Sequence, residues 1–402
     1  MNNILHRIPW FVLQGGVLSI GFSAYRDIGA TIYDIFFLGA VAIWVLFGFL
    51  GFSFKNLSPL VGAGFLACLS GFFISDLFSG YVFDSLVQLS KFCFSFLVFY
   101  LCLPMLVNSQ VRFFNLMYVL MLSGAISGIG SLLQATIGIG SLGGLEQYGR
   151  MTGFTEHPNE LGFHCAMACF VCIYIFQNSN SALKTTACAI SFLLSMIGLV
   201  LSSSMTSVGA LLVAIFILTF YEYKDKNYIF IKQLFFVALV SIFCVSLFAV
   251  IGGENNIVDR IVGQKDLSTE EGTLGLRFIV YELAVEDIIN NPFVGVGNSD
   301  EVTLSLLGDY VHNIFLRSFR EGGILSFIGM LGIFAGSFSS LYEKTGNPWL
   351  LKSRKYMIAI FALILISVSL SPALFQRIVW LSFGVCFSYY ALVVRFKLGF
   401  KI

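Results

Sequence analysis

Long apolar runs alternate with short polar breaks along this chain, and only one of the breaks is long. A bilayer-crossing helix needs roughly 20 mostly apolar residues, and by that measure the sequence predicts about twelve spans. They fall near 9–25, 31–51, 58–75, 91–107, 113–137, 160–177, 185–203, 207–223, 232–252, 312–341, 356–373 and 377–394. The long break, 252–311, separates the ninth span from the tenth. It opens with charged residues (Glu254, Asp259, Arg260, Lys265, Asp266, Glu270, Glu271). From about 277 to 290 its apolar residues recur at helical period, which predicts a short amphipathic helix. Asn290-Asn291-Pro292 stops that helix, and Gly295-Val296-Gly297-Asn298 reads as a turn. A loop of this length in a compact membrane protein is usually functional.

Composition agrees with the pattern. Apolar residues make up 57% and charged residues 11% of the chain, with a mean hydropathy of +0.88. Those values exclude an ordinary soluble domain. The predicted fold class is all-α: a polytopic integral membrane helical bundle, one domain over 1–402 with a single long loop. The first apolar run has a second reading as a signal peptide, because Arg7 precedes it and Phe22-Ser23-Ala24 follows. Gln14, the Gly15-Gly16 pair and the lack of a soluble domain downstream favour a span. All nine cysteines lie in apolar segments, so buried thiols are expected rather than a disulfide framework. Cys165, Cys169 and Cys172 beside His164 have the spacing of a metal site, but a packed helix face suits this apolar setting better.

Charge gives the orientation. With the N-terminus cytoplasmic, 14 of the 23 Lys and Arg residues fall on the inside, and 19 of the 22 acidic residues fall outside. The positive-inside rule then predicts that both termini are cytoplasmic. The same assignment puts three polar patches on the outer side: Gly149 to Phe154, Glu156 to Glu160, and Ser202 to Ser207. The long loop and the run Val311-His312-Asn313-Ile314-Phe315-Leu316-Arg317-Ser318-Phe319-Arg320-Glu321-Gly322-Gly323 share that side. An imidazole and two guanidiniums thus sit where a membrane helix meets water. Helix caps and loop turns are the plain reading of such patches; their agreement in side points instead to one extracytoplasmic site.

At this point the residues carry a resemblance. His312-Asn313, Leu316, Glu321 and Gly323 resemble the His-Asn-x-x-Leu-x-x-x-x-Glu-x-Gly run of the O-antigen ligase and polymerase family of bacterial membrane glycosyltransferases. Arg277, Pro292 and Gly295-Val296-Gly297 are similar to that family's upstream Arg, Pro, Gly-x-Gly stretch. Arg150-x-x-Gly-Phe with Pro158-Asn159 is similar to its earlier outer-loop motif. The likeness covers roughly 145–340, in matching order.

The resemblance implies glycosyl transfer from an undecaprenyl-diphosphate-linked oligosaccharide donor to an acceptor hydroxyl, at the periplasmic face of the bacterial inner membrane. Such a reaction needs a base working near neutral pH and positive charge on the leaving diphosphate, with no obligatory metal or other cofactor. Imidazole, with an ordinary pKa of ~6.5, suits the base. Guanidinium suits the diphosphate through paired, permanently charged hydrogen bonds. His312, Arg277 and Arg150 are accordingly the candidate catalytic groups. Arg320, Asn313, Arg317, Asn159 and His157 are candidates for binding substrate, and His157 is a rival base. At about 100° per residue, Arg320 lies about 80° from His312 and Arg317 about 140°, which makes Arg320 the arginine of this helix better placed to share a site. Arg317 and Glu321, spaced i,i+4, are expected to pair.

Within the family, two features tilt the expectation toward a polymerase joining lipid-linked repeats. Met205 stands where ligases often carry an arginine, and only 35 residues separate Arg277 from His312. The alternative is a ligase that moves finished polymer onto lipid A-core. A chain-length regulator is a possible partner, the lipid bilayer an expected one, and nucleic acid is not. A transporter or flippase would also have many spans. Its coupling usually needs ionisable groups deep in the membrane, where a charge costs ~2.5–3.5 kcal/mol, and the span middles here are empty of them apart from His164.

Overall fold

The computed structural model describes residues 7–23, 31–48, 54–138, 150–179, 181–226, 273–307 and 309–400. Within them the chain is helical throughout. The helices are α1 (Ile8–Ser19), α2 (Ile32–Gly48), α3 (Pro59–Phe78), α4 (Val82–Leu106), α5 (Gln110–Ile137), α6 (Pro158–Asn178) and α7 (Ala182–Leu201). They continue with α8 (Met205–Lys224), α9 (Thr273–Asn290), α10 (Asp300–Leu307), α11 (Ile314–Leu341), α12 (Pro348–Ser369) and α13 (Arg377–Lys397). Eight of them (α3 to α8, α11 and α13) are long and apolar enough to cross a membrane. The protein is therefore a multi-pass membrane protein.

That is fewer than the twelve spans expected, for identifiable reasons. The expected span 232–252 and the charged first part of the loop, 252–272, lie outside the described residues. Helix α1 has only 12 residues, about 18 Å of rise, which is short of a bilayer core. Helix α12 is long enough at 22 residues but carries Lys352, Arg354 and Lys355 in its first two turns. Span four begins nine residues earlier than its apolar run suggests, at Val82. Its Phe96–Cys102 stretch is wound as π-helix, just upstream of Pro104, which cannot donate to the carbonyl four residues back. The loop helix exists and runs from Thr273 to Asn290; α10 was not anticipated.

Helix ends follow local chemistry. Asn313 caps α11 and Asn347 caps α12, each side-chain oxygen accepting two backbone N–H groups. Pro158 and Pro348 occupy first-turn positions, where a missing N–H is harmless. The most enclosed helices are α6 and α13, with 89% and 83% of their spans buried, so they form the bundle's centre. Lys355 pairs with Glu222 (2.6 Å) and ties α12 to α8 at the end carrying most of the basic residues.

The closest packing joins α3 and α11, which run antiparallel with backbones in contact. A methyl group at Gly64 would lie 2.7 Å from the Gly329 carbonyl oxygen, and one at Gly71 would lie 2.6 Å from the Ser326 nitrogen. Between lipid-bathed helices there is no hydrophobic drive, so small residues that let backbones meet supply the packing. Cys68 Sγ donates to the Ser326 carbonyl (3.2 Å) and Ser75 Oγ to the Glu321 carbonyl (2.6 Å) across the same seam.

Helix α11 is kinked at Gly323 (φ 67°, ψ −169°). The kink frees backbone groups, and the segment 292–297 takes them up. Val296 N donates to the Arg320 carbonyl (2.9 Å), Gly297 N to that of Glu321 (3.1 Å), and Ile324 N to that of Pro292 (2.9 Å). Gly295 packs so closely that a side chain there would meet the Gly323 nitrogen at 2.6 Å. The Pro-x-x-Gly-x-Gly and Glu-x-Gly motifs, well separated in sequence, are two halves of one backbone joint.

Candidate functional site

The outer-patch residues gather at one end of the bundle, where α3, α5, α7 and α12 finish and α4, α6, α8, α11 and α13 begin. The Arg150–Phe154 turn is seated on α5: Gln134 Oε1 accepts from Thr152 N (2.9 Å) and Gly153 N (2.7 Å). Phe154 stacks on Phe22 at 4.7 Å. Arg150 then reaches across, donating from Nε to the Ser202 carbonyl (3.0 Å) and from Nη2 to Asn159 Oδ1 (2.6 Å). Asn159 N in turn donates to His157 Nδ1 (3.1 Å), which caps α6. Arg150, Asn159 and His157 are thus one hydrogen-bonded unit.

The second unit belongs to α9 and the start of α11. Val280, Ala284, Leu307 and Val311 form a small apolar cluster of their own, backed by Tyr281, Leu283 and Leu316, which seats α9 against α10 and α11. Tyr281 donates from its hydroxyl to the His312 carbonyl (3.1 Å). Arg277 is one turn before Tyr281 on α9, and its charge acts on Tyr281 and on His157. His312 is 8% exposed; its Nε2 lies 3.4 Å from Asp309 Oδ2. Nδ1 of His312 and Nε of Arg277 are buried without a protein partner, as are Nη2 of Arg317 and of Arg320 further along α11. Buried polar atoms are nearly always satisfied in folded proteins, so these atoms mark places for a ligand or water.

Electrostatics joins the two units. Burial lowers the His157 pKa from 6.5 to about 4, and the charges of Arg150, His312 and Arg277 push the same way while Asp309 opposes them. His157 is therefore neutral at physiological pH. Burial raises the Asp309 carboxyl, but the His312 hydrogen bond, the Tyr310 N–H and the charges of His312 and His157 more than reverse this, holding its pKa below the ordinary value. Arg150, His312, Arg277 and Asp309 thus all act on His157, and His312 and His157 act on Asp309.

The other candidates on α11 are engaged elsewhere. Arg317 pairs with Glu321 (2.7 Å), as the i,i+4 spacing predicts, and lies over the rings of Tyr310 (4.9 Å) and Phe375 (5.0 Å). Arg320 differs from the expectation drawn from its angle. It is fully buried, with Nε on Asp287 Oδ2 (2.7 Å) and Nη1 on Thr303 Oγ1 (3.2 Å), so it clamps α9 and α10 onto α11. Asn313 uses its oxygen as the α11 cap and its Nδ2 to donate to the Ser369 carbonyl (3.2 Å). Asp309 and Tyr281 were missed in the sequence. Asp309, three residues before His312, carried a readable spacing; Tyr281 had no signal beyond its place on the α9 face.

His164 lies between Ser123 Oγ (3.0 Å from Nε2) and Ser127 Oγ (3.1 Å from Nδ1), inside the bundle. Both ring nitrogens are satisfied by neutral hydroxyls, as in a packed core. The eight described cysteines are free thiols, seven of them buried and Cys93 half-buried; Cys244 lies outside the described residues.

Residues 190–331 match the family described as O-antigen ligase, a segment that runs from α7 into α11 and includes Arg277, the Gly-x-Gly turn and the His312 run. No curated protein matches the chain. Over that segment the chain is similar to the O-antigen ligase family, in agreement with the resemblance carried by the Arg277 and His312 motifs.

Proposed function

We propose that this chain is a surface-polysaccharide polymerase. It joins oligosaccharide repeats carried on undecaprenyl diphosphate, at the periplasmic face of the inner membrane, with both termini cytoplasmic. The observation that carries the reading is a pair of buried, unpartnered nitrogens, His312 Nδ1 and Arg277 Nε, on the segment that matches the O-antigen ligase family. One is a base in waiting and the other a fixed cation with an unused donor. In the reaction, the acceptor hydroxyl gives its proton to His312 as its oxygen bonds to the donor's anomeric carbon. The bond from that carbon to the diphosphate oxygen breaks, and Arg277 and Arg150 balance the charge that develops there. Because His312 Nδ1 is shielded from solvent, water competes poorly as an acceptor.

A ligase that transfers the finished polymer to lipid A-core is the second reading, favoured by the description of the matched family. Met205, half-exposed at the first turn of α8, leaves the Ser202–Ser207 patch without a guanidinium and favours the polymerase. Purified protein in vesicles, given labelled lipid-linked repeats, should build multiples of the repeat on the lipid carrier. Transfer only to added lipid A-core would replace the polymerase by the ligase. Movement of the lipid across the bilayer without any glycosidic bond would reject both. In cells, loss of the polymerase should leave core bearing a single repeat, whereas loss of a ligase should leave bare core.

A further inference from the structure

Two histidines face the site, and their hydrogen bonds give them different work. An imidazole in the neutral form carries one proton, and the partner of one nitrogen fixes what the other can do. At His157, Nδ1 accepts the Asn159 backbone N–H (3.1 Å). Its proton must then be on Nε2, so the ring can only donate to a bound molecule. At His312, Nε2 faces the Asp309 carboxylate (3.4 Å), while Nδ1 is buried with no partner.

Two arguments put the His312 proton on Nε2. With the proton on Nδ1, a lone pair would face an anionic oxygen, and a buried N–H would be left without an acceptor. Orphaned buried N–H groups are rarer and costlier than orphaned acceptors. The backbone that carries the ring is held by the Tyr281 hydroxyl on the His312 carbonyl (3.1 Å) and by Asn313, which caps the helix directly after it. The charged or titratable groups tied to His312 are Asp309 from its own turn, Tyr281 from α9 and His157 from the start of α6; Arg150 and Arg277 act on His157 as well.

We propose that Asp309 is a positioning residue that holds the His312 ring with its proton on Nε2 and its lone pair on Nδ1. His157, kept in the same tautomer by the Asn159 amide, presents only an N–H donor to the glycan. Two chemically identical side chains are thereby assigned opposite roles, acceptor and donor. The 3.4 Å separation is long for a charge-assisted bond, and the Asp309 side chain is 59% exposed; catalytic hydrogen bonds commonly tighten only when substrate fills the site. The kinetic consequence rests on the glycosyl-transfer reading, whereas the tautomer does not.

The test uses the full chain in nanodiscs, labelled with ¹⁵N-histidine. The chain has four histidines, so ring signals can be assigned with His157→Gln and His312→Gln. At pH 7.5, His312 should show a protonated Nε2 and a bare Nδ1. Asp309→Asn should move His312 toward the other tautomer while leaving the His157 signals in place, and Asp309→Glu should retain the wild-type pattern. In elongation assays, Asp309→Asn should lower kcat on the order of 10- to 100-fold with little change in KM, since the correct tautomer is part of general-base catalysis. Asp309→Glu should recover most of it. A wild-type His312 protonated on Nδ1, or an Asp309→Asn variant with an unaltered His312 tautomer, overturns the inference. So does an Asp309→Asn variant with altered tautomer and undiminished kcat. If the wild type elongates nothing, the functional reading fails while the ring signals still decide the role of Asp309.

Discussion

Replacing Gly323 by alanine tests the backbone joint between α11 and the 292–297 segment. At φ 67° and ψ −169° the position is in a region that side chains rarely enter, and strain of this kind costs about 2 kcal/mol. The added methyl group would also lie 2.2 Å from the Phe293 carbonyl oxygen, a backbone atom that must move. Moving it pulls on three hydrogen bonds, from Val296, Gly297 and Ile324. Each contributes about 1 kcal/mol net, so the full loss approaches about 5 kcal/mol. Gly138→Ala is the control: its φ is 65°, but no atom lies within 4 Å of the new methyl, so only about 1–2 kcal/mol of strain is expected. Unfolding by sodium dodecyl sulfate titration in mixed micelles measures both. Gly323→Ala should also reduce elongation, because the segment anchors the end of α9, which carries Arg277. If the two alanine variants are destabilised equally, the joint does not hold the kink and the reasoning is wrong.

His312→Ala should abolish elongation with unchanged protein in the membrane fraction, and normal-length polymer from that variant would remove His312 from the mechanism. Arg277→Lys should weaken transfer on the order of 10-fold if paired donation to the diphosphate matters; wild-type rates would mean that charge alone suffices. Arg320→Met, which leaves Asp287 without its buried partner, should cost about 3–5 kcal/mol of stability, read by the same detergent titration. His157 gives a pH signature. Its folded pKa of about 4 lies below the ordinary 6.5, so the unfolded chain binds more protons between those values. Its contribution is complete above about pH 6.5 and is lost as pH falls toward 4. His157→Asn, which keeps a capping side chain, should flatten that part of the stability profile; an unchanged slope would refute the assignment.

The sequence made the apolar helices, the α9 helix and the Arg317–Glu321 pair readable, because each depends on spacing within a single segment. The place of Arg320 was not readable from its angle on α11, since its partners Asp287 and Thr303 come from other helices. Nor was the kink visible: Gly322-Gly323 inside an apolar run looks like ordinary small-residue packing until Pro292 and Gly295 are brought against it. The early start of α4 was hidden by Asp84, Gln88 and Lys91, which break the hydropathy of its first turns although Gln88 is buried against Asp300. Asp309 shows the remaining limit. Its spacing from His312 was in plain view, but the buried, unpartnered Nδ1 that gives the pair meaning appears only in three dimensions.

The glycine seam between α3 and α11 also bears on how such a site can open. Bare backbones in contact, pinned by Ser75 and Cys68, join these two helices and the hooked 292–297 segment into one wall. His312, Asp309 and Arg277 all ride on that wall, whereas Arg150 and His157 are carried by the opposing group of α5, α6 and α7. On the glycosyl-transfer reading, a relative shift of the two groups changes the reach from Arg150 to Arg277 while leaving the imidazole and its carboxylate in register.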